Sequence, residues 1–306
     1  MKGYAHLAGF LMLYTKLPLS FEQQVFLLQD RGLEVGDPHV AATILSRISY
    51  YRLSAYFKPF KLTASDNFTP GTTFQEVLDL YQFDKDLRFL LSDPLEAIEV
   101  YFRTRITYEL AIRGDAFAHC NATLFLSDFD HPNFLSEQDK IERRATVQFV
   151  KHFRAKYISE KRLPIWMATE LMPFGTLSWL FPSLALDIQK AISDDLNIDR
   201  SVLRSWLLSL SYIRNTCAHH ARLWNKELAI RPIIPKNLRR WSYPALDNKR
   251  CYAIFILLHD IMSHIQPDHH WSQNLVTFLS QCNDLELAGM QVPKAWRLLP
   301  PWSRLA

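Results

Sequence analysis

The chain reads SVLRSWLLSLSYI from Ser201 to Ile213 and RNTCAHHARLWN from Arg214 to Asn225. At roughly 100° per residue, Leu203, Trp206, Leu207, Leu210, Ile213 and Cys217 fall on one stripe, the pattern of a helix packed on a helical core. Arg214 falls in that stripe too, four residues after Leu210. A guanidinium keeps its proton and is costly to bury, so Arg214 must meet a carboxylate, a phosphate or a water-filled cavity. A salt bridge to Glu99 or Glu170 is the purely structural solution. His219 follows five residues later, which in an unbroken helix turns it roughly 140° away. The two side chains serve one site if the helix ends between them, or if a second copy of the chain supplies the missing half.

The chemistry of this pair is specific. Histidine is the side chain best matched to proton transfer near neutral pH. An arginine beside it stabilises charge that develops on a phosphoryl group, and Asn215 orients either group by hydrogen bonding. Together they suit RNA cleavage in which the 2′-hydroxyl attacks the neighbouring phosphate. No metal is needed for that reaction, and no cofactor is implied.

Composition sets the frame. With 306 residues, 48% hydrophobic and 22% charged, the chain is a globular protein, neither disordered nor membrane-spanning. Its 8 glycines disfavour turn-rich β architectures. The net charge of +4 is unevenly spread: 21 basic against 25 acidic residues up to 199 give −4, and 14 against 6 from 200 onward give +8. The basic third begins just before the RNTCAHH segment and favours a polyanion partner there. Cys120, Cys217, Cys251 and Cys282 are scattered without a CxxC pair and read as cytosolic thiols, which places the protein in the cytoplasm. A metal set of His119, Cys120, Cys217 and His219 lacks local ligand spacing. The start, MKGYAHLAGFLMLYTK, superficially resembles a signal peptide. It lacks a small-x-small cleavage site and its apolar run is too short to span a bilayer, so residues 1–15 read as an extension, with Met12 as an alternative start.

The rest of the chain reads as helices. FEQQVFLLQDRG (Phe21–Gly32) is a short amphipathic helix. HVAATILSRISYYRLSAYFKPF (His39–Phe60) reads as one helix with Ile44, Leu45, Ile48, Tyr51 and Ala55 on its packed side, stopped by Pro59. Its Arg47, Arg52 and Lys58, with Lys61 just beyond, lie among aromatic residues. That interleaving suits RNA, with cations on phosphates and rings on bases. It equally suits a packing face whose arginines snorkel to water. DNFTPGTT (Asp66–Thr73) reads as a linker, which places a domain boundary near residue 72, and Thr73 caps the helix that follows. Pro94 opens a further helix that ends at Gly114. On it Leu95, Ile98, Phe102 and Ile106 share a face, with Glu99 and Arg103 on its edge. Residues 115–140 read as a loop, followed by helices at about 137–157, two pieces across LPIWMATELMPFGTLSWLF, one at about 184–194, and a buried one at CYAIFILLHDIMSHI (Cys251–Ile265).

RNxxAHHxRLWN, with ISYYRLSAYFKPF, FTPGTTF, LYQFDKDLR, IEVYFRTRI, PIWMATELMPFGTLSWLF and LRSWLLSLSYIRN, resembles the Abi-like family, the AbiD and AbiF group of abortive-infection proteins, from about Lys16 to Asn225. The resemblance implies an all-α fold: a HEPN-like helical bundle over 73–225, a small N-terminal helical region over 1–72, and a basic helical extension over 226–306 that packs on the bundle. It implies a metal-independent endoribonuclease, acting in phage defence or as a toxin, with Arg214, Asn215 and His219 catalytic. His220, Arg222 and Asn225 flank them as RNA-binding candidates. Glu99, Arg103 and Glu170 are candidates for supporting ion pairs. Ribonucleases of this kind pair two Arg-His motifs in a homodimer, and this chain has one clear copy. A small structured RNA is implied as a regulator, met by Arg47, Arg52, Lys58, Lys61 and the basic third. The alternative is a module that grips RNA without cutting it.

Overall fold

The computed structural model describes residues 17–235 and 246–304. The expected extension at 1–15, with Met12, lies outside the described residues, as do Lys236, Arg239 and Arg240 of the basic third. Among the described residues the chain is all-α, with thirteen α-helices and three isolated bridges in place of any sheet. It divides between Phe83 and Asp84 into two compact units.

The first unit holds α1 (Phe21–Asp30), α2 (Pro38–Ile48) and α3 (Tyr50–Phe57), together with the first residues of α4 (Phe74–Arg113). A reciprocal capping box starts α1: the Ser20 hydroxyl accepts from the Gln23 N–H and the Gln23 side chain accepts from the Ser20 N–H. Val25, Leu28, Leu45, Leu53 and Phe57 form the buried centre. The single helix expected from His39 to Phe60 is two. Ser49, at φ 66°, ends α2, and its hydroxyl then accepts from the Arg52 N–H to start α3. The break resets the helical phase. Tyr51, assigned by periodicity to the packed side, is therefore 89% exposed, and Tyr56 is buried instead. The Asp66–Thr73 segment folds back within this unit, burying Phe68 and pairing with Phe60 and Leu62 through backbone hydrogen bonds.

Helix α4 runs for 40 residues straight through Pro94, where a new helix was expected to begin. Proline cannot donate to the carbonyl four residues back, which normally costs roughly 3 kcal/mol or more. Here the Leu90 carbonyl accepts instead from the Trp271 indole N–H at 2.7 Å. The apolar stripe Leu87, Leu91, Leu95, Ile98, Phe102, Ile106 and Leu110 stays buried across the proline, so packing carries the helix through it. Thr73 and Glu76 form the capping box at its start, as the Thr73 cap predicted. At its end Gly114 meets Ala118 so closely that an added Cβ would lie 2.8 Å from that of Ala118.

The second unit continues with α5 (His131–Arg144), α6 (Gln148–Lys156), α7 (Ile165–Ala168), α8 (Phe174–Leu180), α9 (Leu186–Asp195), α10 (Arg200–Ala218), α11 (Cys251–Ile265), α12 (Trp271–Gln281) and α13 (Asp284–Met290). The expected loop at 115–140 already contains the start of α5, which Asp130 caps and Pro132 primes. The charged helix expected at 137–157 is split between α5 and α6. Helix α11 is buried from Cys251 to Leu258 on every face. Residues 84–225 and the described part of 226–304 belong to one unit. Trp224 illustrates their packing: it is fully buried, its indole N–H donates to the Glu286 carbonyl at 2.9 Å, and its ring lies where a Cβ on Gly289 would be.

Candidate functional site

Helix α10 starts where the Asp199 carboxylate accepts from the Ser201 N–H at 2.7 Å. Its stripe, Leu203, Trp206, Leu207, Leu210 and Ile213, is buried. Cys217 is buried as well, and this pushes its thiol up to about 12, so it stays protonated and is no nucleophile. Arg214 leaves the edge of this stripe with its side chain 38% exposed. It lines a groove of about 440 Å³ between α4 and α10, together with Ser92, Glu96, Glu99, Arg103 and Cys217. Its Nε donates to Glu99 Oε2 at 3.1 Å and its Nη1 to Asn215 Oδ1 at 3.3 Å. Nη2 makes no hydrogen bond among the described residues. Glu99 also accepts from Arg103 Nη2 at 2.8 Å through its other oxygen. The Glu99 alternative for Arg214 is thus realised, whereas Glu170 lies 3.7 Å from Arg103.

The end of α10 is built by backbone bonds. The His220 N–H donates to the Cys217 carbonyl and the Ala221 N–H to the Thr216 carbonyl, both at 3.0 Å. His220 takes the left-handed conformation at φ 54°, the position that glycine usually fills in this type of helix stop. The helix therefore ends at Ala218, between Arg214 and His219. His219 nevertheless keeps a near-helical backbone, φ −89° and ψ 10°, and its N–H still donates to the Asn215 carbonyl. Its ring leaves about 140° around the axis from Arg214, is exposed, makes no hydrogen bond or ion pair among the described residues, and is not part of the groove lining. One chain brings Arg214, Asn215, Glu99 and Arg103 together, and holds His219 apart from them.

Beyond the histidines the chain is pinned by a residue that the sequence reading missed. Asp84, fully buried on α4, accepts from the Trp224 N–H at 2.7 Å, from the Leu223 N–H at 3.2 Å, and from the Arg88 guanidinium. The turn carrying His219 and His220 is therefore anchored on one side by α10 and on the other by this carboxylate. The signal was present: Asp84 and Arg88 are four apart within LYQFDKDLR, on the buried side of a helix.

The flanking candidates divide. Asn225, at φ 51°, accepts from the Arg250 guanidinium and so braces the chain internally. Arg222 is half-buried, and His220 is exposed. Arg47, Arg52 and Lys58 are exposed in the first unit, whereas Arg214 belongs to the second. Lys61 pairs with Asp66 at 2.8 Å over the Phe68 ring. Among the described residues no group of three or more His, Cys, Asp or Glu is placed to hold a metal ion, and no helix is long and apolar enough to cross a membrane.

Fold and site define an all-helical protein with an arginine-carboxylate groove on one side of a helix end and an exposed histidine on the other. The family model described as Abi-like protein matches residues 43–225, more than half of the chain, and the chain belongs to that family. No curated protein and no solved structure matches it.

Proposed function

We propose that the protein is an endoribonuclease that cleaves RNA without a metal, with Arg214 binding the scissile phosphate and His219 moving protons, in a composite site shared by two copies of the chain. Membership of the Abi-like family suggests a part in phage defence by abortive infection, and the proposed target is RNA in the cytoplasm of the infected cell.

The observation that carries this reading is the state of the two side chains. Arg214 stands in an open groove with Nη2 uncommitted, and the His219 ring is exposed and unbonded beside it. Because the two point roughly 140° apart, one chain presents half of each function. A homodimer supplies both histidines. One accepts the proton of the 2′-hydroxyl as its oxygen bonds to phosphorus. The bond from phosphorus to the 5′-oxygen breaks, and the second copy's histidine, entering protonated, gives that oxygen a proton. The products are a 2′,3′-cyclic phosphate and a 5′-hydroxyl. Arg214 stabilises the charge gathering on the non-bridging oxygens, and Asn215 steadies Arg214 through Nη1.

The exposed Arg47, Arg52 and Lys58 are proposed contacts for RNA outside the cleavage site, a small regulatory RNA included. Binding without cleavage is the second reading, favoured by the absence of His219 from the groove that Arg214 lines. Incubating purified protein with total RNA in excess EDTA separates the two. The account expects cleavage with cyclic-phosphate ends at an undiminished rate in the chelator. Salt-sensitive RNA binding with no cleavage moves the second reading ahead.

A further inference from the structure

Within the groove, each oxygen of Glu99 is committed to a different arginine: Oε1 to Arg103 Nη2 at 2.8 Å and Oε2 to Arg214 Nε at 3.1 Å. Arg103 is itself held by the Met172 carbonyl at 3.0 Å and by Glu170 at 3.7 Å. Glu99 is buried, whereas Arg214 is partly exposed. The rigid partner is therefore the carboxylate and the orientable one is the arginine.

Building on the reading of Arg214 as the phosphate-binding group, we propose that Glu99 is a positioning residue: braced by Arg103, it fixes Arg214 through Nε so that the remaining guanidinium edge faces the scissile phosphate. A long unbranched side chain at a helix edge would otherwise sample many rotamers, and each would have to be frozen out as the phosphate binds. Holding one edge of the planar fork in advance removes that cost at the moment of reaction. It also sets local charge. Two arginines share one carboxylate, so these three groups keep a net positive charge suited to a phosphodiester. Arg103 Nε, buried without a partner, leaves Arg103 cationic and incompletely satisfied at the same place.

A merely structural salt bridge makes a different forecast, and isosteric replacement distinguishes the two. Steady-state RNA cleavage is measured for the full-length wild type, Glu99→Gln, Arg214→Ala and the double variant, beside thermal melts. Glu99→Gln is expected to lower kcat roughly 10- to 100-fold, with KM changed by less than about 3-fold and melting nearly unchanged. In the Arg214→Ala background the same change is expected to have no further effect on cleavage, because Glu99 acts through Arg214. An undiminished kcat in Glu99→Gln, or an equal loss in both backgrounds, overturns the proposal.

If the wild type itself cleaves nothing, the nuclease reading has failed, and the positioning is read separately from the Arg214 Nε–H resonance, assigned by its loss in Arg214→Lys. A distinct, slowly exchanging signal that collapses toward solvent-exposed arginine values in Glu99→Gln supports the proposal. A signal that is already averaged in the wild type, or that Glu99→Gln leaves unmoved, overturns it.

Discussion

Asp84 and Arg214 both pair with opposite charges, and their burial separates their roles. Asp84 is fully buried and answers three donors: Arg88 and the N–H groups of Leu223 and Trp224. Removing it leaves the Arg88 cation and two amides without their partner inside the protein, and breaking a buried pair on one side costs about 3–5 kcal/mol. Asp84→Ala is expected to lower stability by that amount in urea-unfolding measurements, whereas Arg214→Ala, at a partly open groove, is expected to change it little. Equal losses from the two substitutions would contradict the assignment of Asp84 to architecture and Arg214 to function. Periodicity alone made Arg214 legible, because a cation in an apolar stripe demands a partner. Glu99 was legible as that partner because it lies at the core edge of a neighbouring helix. Asp84 was not singled out, because its partners are backbone amides of a segment 139 positions away, and no local pattern announces those.

Helices with regular periodicity were legible from the sequence, and the errors came at their ends. Proline was read as a start at Pro94, since its missing N–H has a local penalty. The compensating donor, Trp271, lies far off in the chain. Conversely, Ser49 was read through as mid-helix, although its positive φ and its hydroxyl cap break the helix there. In both cases a tertiary or cap interaction outweighed local propensity. The first makes a forecast at the scale of the element. Trp271→Phe strands the Leu90 carbonyl and is expected to cost about 1–3 kcal/mol. In a Pro94→Ala background, where the alanine N–H can satisfy that carbonyl, the same substitution is expected to cost measurably less. A cycle of four proteins followed by thermal melting gives the coupling, and strictly additive effects would remove Trp271 from the account of the helix.

For the molecule as a whole, the all-helical class, the place of α10 and the packing of the C-terminal helices with residues 84–225 in one unit bear on the same site. Trp224, in the motif segment, is fixed by α13, so the C-terminal part braces the turn that follows His219. What one chain does not do is bring His219 into the groove of Arg214, and the central claim turns on whether His219 moves protons in a shared site. The most direct measurement is inducible expression of the wild type and His219→Ala in bacteria, with growth followed and RNA ends mapped for 2′,3′-cyclic phosphates. The account predicts growth arrest and new cyclic-phosphate ends in the wild type, and neither in a His219→Ala protein that accumulates to the same level and retains its RNA affinity. New cyclic-phosphate ends of equal abundance in both would contradict it.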